Sequence, residues 1–402
     1  MTENAAPPSV FRNTAFLRLW TGTTASGLAM WALPFVLGLA VLERSITAVE
    51  LGVVLATRTA GFLAAVPVAG VLADRHPRRA VVFWSCLVAG LTTPVIALGM
   101  GRSLLLMAVA ATVVGAGQGA CRPAFQAMVA EVVPEHGRQQ ANAATTLAIR
   151  VTTLVAPSLT ALAALLVNAR ELLAATAVVW LIAALVPPGG QSRPAPAAGT
   201  RASFTTDFLD GIREARRHPW LLAGLGALTA VIATGYSATA VVLPLVSRDR
   251  YDTEAVLAAA TTAYTVGALA GAMLMARWRP KAAGWVALTG LALYGLIPLV
   301  LLVPVHPVVV VAAYAVTGIG IELFNVPWFT AVQREVEPSK LARVSSLDFL
   351  LSYGLAPVGL ALIAPAIDAF GVSAVLGACA VACFAVPAAA ALVPSSRRFS
   401  AR

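Results

Sequence analysis

Apolar residues run through this chain in long blocks, separated by short polar segments rich in arginine. A helix needs about 20 apolar residues to cross a hydrocarbon layer roughly 30 Å thick. Twelve blocks reach or approach that length: 14–42, 49–73, 80–100, 103–131, 139–167, 170–187, 219–247, 253–276, 281–303, 306–333, 341–367 and 371–394. The pattern predicts an all-α membrane protein with twelve transmembrane helices. The sixth block, ELLAATAVVWLIAALVPP, is the shortest. The first is too long for the apolar core of a secretion signal, so it is expected to remain as the first span.

The longest polar break lies at 188–218. It opens on PPGGQSRPAPAAGT, a flexible linker by composition. FTTDFLDGIREARRHPW follows, with Phe204, Phe208 and Ile212 every four residues and Arg213, Arg216 and Arg217 beside them. That spacing predicts an amphipathic helix, lying on the inner leaflet or solvated within the linker. The break separates an N-terminal half, 1–187, from a C-terminal half, 219–402, each with six blocks. The halves repeat one another. At an offset of 204, Pro123, Phe125, Glu131 and Pro134 fall on Pro327, Phe329, Glu335 and Pro338. Ala156 and Pro157 recur as Ala356 and Pro357. Such pseudo-symmetry points to a transporter with its site between two related halves.

Charge fits the same picture. Charged types make up only 11% of the chain, against about 25% in soluble domains. The net charge of +10 would suggest nucleic acid in a soluble protein. Sorting the 28 Lys and Arg over twelve spans changes that. With the N-terminus inside, 20 fall on the inner side and 5 on the outer side, while Arg58, Arg122 and Arg150 stay within spans. Positive loops face the cytoplasm. Both termini are therefore expected there, with no nucleic-acid partner. An Ala- and Arg-rich, Lys-poor composition points to a bacterial cell membrane. Cys86, Cys121, Cys379 and Cys383 lie in apolar blocks and match neither a zinc site nor a disulfide framework. The four histidines are scattered, and there is no phosphate loop or nucleophile elbow. No cofactor, metal or enzymatic activity is expected. The partners are a small-molecule substrate and the lipid bilayer, with a monomer as the default.

The segment GVLADRHPRR at 70–79 carries the densest charge between two spans. Gly70 lets another helix approach the backbone. A carboxylate at the membrane border, as at Asp74, must be paired or placed at a helix N-terminus. The segment resembles the loop signature of the major facilitator superfamily, G-x-L-a-D-r-x-g-r-[kr], through Gly70, Leu72, Asp74, Arg75, Arg78 and Arg79. Pro77 replaces its second glycine. With twelve blocks and two related halves, the resemblance covers nearly the whole chain. It implies a cytoplasmic gate in which Asp74 and Arg78 join Glu131, at the end of the fourth block. A positive-inside anchor without gating is the other reading. In the second half, Ala276 stands in place of the aspartate within LMARWRP, which implies a weaker or different gate.

Exporters of this superfamily share a glycine-rich fifth helix containing Gly-Pro. Here Ala156–Pro157 stands in that place, a partial match that suggests antiport. FRNTAFLRLWTGTTASGLA and LDGIREARRHPW also resemble bacterial drug-efflux members.

Ionisable residues inside spans are expensive and face a cavity or one another. They are Arg58, Arg122, Arg150, Glu322 and Asp348. Glu322 is the only carboxylate deep in a block. It serves as a proton-coupling acid if an arginine partner comes and goes, or as half of a static ion pair with Arg122 or Arg150. The arginines also suit an anionic substrate. Trp31, Tyr236, Tyr264, Phe324 and Trp328 are candidates to line a cavity, or are packing residues. The expected function is proton-driven export of a drug or secondary metabolite by alternating access. Import or uniport, and a non-transporting receptor or assembly partner, are the alternatives.

Overall fold

The computed structural model describes residues 9–189, 204–354 and 356–400, and every regular element among them is helical. The elements are α1 (Thr14–Leu42), α2 (Ala48–Arg75), α3 (Arg78–Gly99), α4 (Leu104–Val132), α5 (Arg138–Ala163), α6 (Ala169–Leu185) and α7 (Phe204–Arg217). Then come α8 (Pro219–Tyr251), α9 (Ala255–Arg277), α10 (Ala283–Leu302), α11 (Pro307–Glu335), α12 (Leu341–Gly354), α13 (Ala356–Phe370) and α14 (Val372–Ala391). A π-helical turn, Ile232–Tyr236, interrupts α8.

Local chemistry sets the helix starts. Asn13 caps α1 by accepting the N–H groups of Ala15 and Phe16 at 3.0 and 3.1 Å. Its amide also donates to the Val132 carbonyl at 2.9 Å, tying the start of α1 to the end of α4. Thr47 with Glu50, and Asn168 with Glu171, form capping boxes on α2 and α6. Each such cap contributes about 1 kcal/mol.

Ten described helices are long and apolar enough to cross a membrane, which makes the chain a multi-pass membrane protein. The other two expected spans fall short. The sixth is α6, with 17 residues, or about 26 Å at 1.5 Å per residue. The eleventh, expected at 341–367, is described as α12 and α13, with residue 355 outside the described set.

The chain divides into two compact units. The first comprises Met1–Ala141, Ala148–Gly211 and Glu337–Leu347, and the second Asn142–Leu147, Ile212–Val336 and Asp348–Arg402. The boundary therefore falls within α7, and short pieces of α5 and α12 belong to the opposite unit from the rest of their halves. The linker at 190–203 lies outside the described residues. Gly211, Glu214 and Ala215 of α7 are buried while Arg213, Arg216 and Arg217 are exposed, so one face of α7 packs on protein rather than lying free. The side chains of Phe204 and Phe208 are outside the described set.

Each unit is built around a close helix pair. In the first, the Arg58 carbonyl of α2 rests against Gly115 of α4, and that of Phe62 against Gly119. In the second, the Tyr264 carbonyl of α9 rests against Gly318 of α11, and that of Ile319 against Gly271. A Cβ at any of these glycines would collide with backbone. The repeat is thus one of packing as well as sequence. Gly115 and Gly117 of α4 correspond to Gly318 and Gly320 of α11, an offset of 203 rather than the 204 of the prolines. One extra residue lies between Gly320 and Pro327. Tyr264 takes the backbone place of Arg58.

Candidate functional site

In the first unit, Asp74 lies in the last turn of α2 with its side chain fully buried. Its carboxylate accepts the backbone N–H groups of Ala342 and Arg343 at 3.2 and 3.1 Å. These belong to the first turn of α12, where orphan N–H groups and the helix dipole favour a negative charge. Lys340, immediately before α12, offers no acceptor side chain, so Asp74 supplies the cap. The Arg343 guanidinium lies 3.3 Å from the same carboxylate, and Arg78 lies 3.6 Å from it. Gly70, one turn back, permits this approach, since a Cβ there would strike Ser346.

Arg78 joins four groups. It meets Asp74, pairs with Glu131 at 3.0 Å, and donates to the carbonyls of Ala127 at 3.1 Å and Pro338 at 2.5 Å. The expected trio of Asp74, Arg78 and Glu131 is thus together. Sequence reasoning missed Arg343 and the backbone of α12, because nothing in a distant basic segment marks it as a partner. Arg79 instead donates to the Leu185 carbonyl at 3.1 Å, at the end of α6, where a cation suits the helix C-terminus. Arg75 is half-buried and engaged in contacts of its own.

At the corresponding place in the second unit Ala276 stands instead of a carboxylate. Ala143 of α5, Met275 of α9 and Val326 of α11 form a buried cluster, with Ala276 packed against it. Beside it the Asn142 amide donates to Gln333 at 2.9 Å and to Thr330 at 3.0 Å, and Gln333 donates back at 3.1 Å. A reciprocal amide pair and an apolar seam stand where the first unit uses charge.

At mid-depth in the first unit, Arg58 donates to the Gln118 side-chain oxygen and the Met30 carbonyl, both at 3.1 Å. Arg122 is its charged neighbour. Arg150 on α5 is half-buried and has contacts of its own. In the second unit, Glu322 is fully buried on α11, and Asn325 donates to it at 3.4 Å. Asp348 is buried in α12, accepts the Ser352 hydroxyl at 3.3 Å and lies beside the Trp328 indole.

The aromatic candidates separate. Phe324 and Trp328 are fully buried, stacked 5.3 Å apart, and enclosed by Trp220 and Phe399. As packed, they present no surface to a cavity. Tyr264 is half-buried with its ring 6.4 Å from Tyr294, Trp31 is half-buried, and Tyr236 is 47% exposed in the π-helical turn. π-Helical turns of this kind occur often at functional sites. In α5, Ala156 is buried and Pro157 interrupts the hydrogen-bond ladder, while Thr160 donates to the Ala156 carbonyl at 2.7 Å.

Two units with repeated helix packing, a buried charge cluster at a helix end and ionisable groups within apolar helices fit a polytopic membrane protein of the transporter class. The family model of the Major Facilitator Superfamily matches residues 19–359, and the chain belongs to that superfamily. Its fold is similar to that of the human organic anion transporter MFSD10 (TETRAN), with a TM-score of 0.71 at 15% identity over 96% of this chain and 100% of that one. It is also similar to the Escherichia coli fucose:proton symporter FucP, with a TM-score of 0.71 at 14% identity over 93% of this chain and 98% of that one. At such identities the likeness is one of fold. A search of curated proteins gives no match.

Proposed function

We propose that this chain exports a small organic molecule, such as a drug or secondary metabolite, in exchange for protons by alternating access. The Asp74 latch is the observation that supports this reading most. Two N–H groups and two guanidinium groups converge on one buried carboxylate. Releasing α12 breaks the two N–H contacts and the Arg343 pair together and leaves Asp74 with Arg78 alone, which makes the latch a two-state element rather than a graded one. Its worth is a few kcal/mol, enough to bias a conformational equilibrium but not to freeze it. Glu322 is the coupling acid. Its side chain is fully enclosed, so loading or unloading a proton changes the charge buried in the second unit. The proton gradient is the energy source, and no cofactor takes part. The protein works as a monomer in a bacterial plasma membrane with both termini cytoplasmic.

Growth of an efflux-deficient host on a compound panel tests the direction. Expression raises tolerance to at least one compound if the chain exports. Raised sensitivity marks an importer. No change, together with no substrate-dependent proton movement in vesicles, marks a receptor or assembly partner.

A further inference from the structure

Arg58 in α2, Gln118 in α4 and Met30 in α1 each stand ten or more residues from both ends of their helices. At 1.5 Å per residue, that is about 15 Å or more from either end. The two acceptors that Arg58 reaches there, the Gln118 amide oxygen and the Met30 carbonyl, are neutral. Among the described residues no carboxylate pairs with it, and its charged neighbour Arg122 has the same sign. A guanidinium at this depth is ordinarily matched by an opposite charge.

Gln118 supplies a second, independent observation. It is 2% exposed, and its side-chain nitrogen is buried with no hydrogen-bond partner. The amide cannot be turned over to cure this. Arginine only donates, so the oxygen is the atom turned to Arg58, and the NH2 on the same amide carbon is the group left without an acceptor. The geometry is held firmly, because Gly115 and Gly119 seat the carbonyls of Arg58 and Phe62 against α4 on either side of Gln118. What the spot lacks is an acceptor carrying negative charge. The planar fork of arginine matches an oxyanion better than any other ligand group.

We infer that Arg58 and Gln118 bind the oxyanion group of the transported molecule, a carboxylate, sulfonate or phosphate. Arg122 adds favourable charge nearby. Cations are repelled, and a neutral molecule leaves the arginine unmatched. The inference rests on the transporter reading above and adds the class of substrate.

The test is thermal unfolding of the full chain, purified in detergent, with benzoate, benzenesulfonate and phenylphosphate as probes. Benzamide and benzylamine serve as the neutral and cationic controls. At least one anion raises the unfolding temperature of the wild type, and neither control does. Arg58→Gln removes the shift. Arg58→Lys, which keeps the charge but loses the fork, and Gln118→Met, which keeps the bulk, weaken apparent affinity tenfold or more. The unfolding temperature without probe shows that each variant is folded. Three results overturn the site: no shift with any anion, an equal shift with benzamide or benzylamine, or an unchanged shift in Arg58→Gln. The two readings fail separately. Arg58-dependent anion binding without transport in vesicles removes the transporter. Transport of a neutral or cationic compound that is indifferent to Arg58→Gln removes the site.

Discussion

Asp74 caps a helix 268 residues further along the chain, accepting the N–H groups of Ala342 and Arg343 at 3.2 and 3.1 Å. Hydrogen bonds to a charged acceptor contribute about 1.5–3 kcal/mol each. Asparagine in this place offers one acceptor oxygen and turns an NH2 toward the other N–H. Asp74→Asn should therefore destabilise the latched state by ~2–3 kcal/mol, or roughly 30- to 150-fold in the equilibrium. We expect the variant to insert at the wild-type level and transport at least tenfold more slowly. Membrane content by immunoblot and initial transport rate are the two measurements. Wild-type rates would return the segment to a topological anchor.

The Asn142–Gln333 pair is the neutral counterpart of that latch. Asn142→Ala leaves the Gln333 amide without this partner in a site where it is 3% exposed. A buried polar group deprived of its partner costs about 1–3 kcal/mol. The unfolding temperature should fall. The double substitution with Gln333→Leu should recover part of the loss, because both polar groups are then gone. Additive losses would show that the pair is not coupled.

Glycine positions in α2 and α4 separate packing from composition. A Cβ at Gly115 meets the Arg58 carbonyl, whereas one at Gly52 meets nothing. Gly115→Val should abolish folded protein, as judged by a monodisperse peak in size-exclusion chromatography. Gly52→Val, on the same helix pair, should leave yield unchanged.

Phe399 stands at φ 50°, a backbone conformation costly for a residue with a Cβ. Its ring is fully buried among Trp220, Phe324 and Trp328, and its carbonyl accepts Arg334 at 3.0 Å. Burial of the ring offsets the strain. Phe399→Ala loses the ring and keeps the strain, at about 3–5 kcal/mol. The unfolding temperature of the variant should drop by several degrees. Phe399→Gly relieves the strain and should still be less stable than the wild type.

Sequence pattern reached the class of fold because the bilayer imposes one length and one polarity on every span. The resemblance to the superfamily's loop signature implied a cluster of Asp74, Arg78 and Glu131, and the three side chains do lie together. Arg343 escaped because a basic loop explains its charge without a partner. Gln118 escaped because a neutral amide leaves no mark in hydropathy, although its missing acceptor is plain once Arg58 is placed against it. Phe324 and Trp328 show the limit from the other side. As aromatics in an apolar block they are candidates for a cavity wall or for packing, and Phe399, near the C-terminal end of the described residues, encloses them. The 341–367 block reads as one span, yet Asp348 and Ser352 within it are buried and paired.

In the proposed function, proton movement through Glu322 drives transport. The most direct measurement is substrate transport in proteoliposomes under an imposed pH gradient, comparing the wild type with Glu322→Gln. The substrate is whichever compound the tolerance panel identifies. Glutamine keeps the shape and hydrogen-bonding capacity of the buried acid but cannot gain or lose a proton. The wild type should concentrate the compound against its gradient when protons flow the other way. Glu322→Gln should still exchange compound between equal pools but fail to concentrate it. A Glu322→Gln protein that responds fully to the pH gradient would contradict the account.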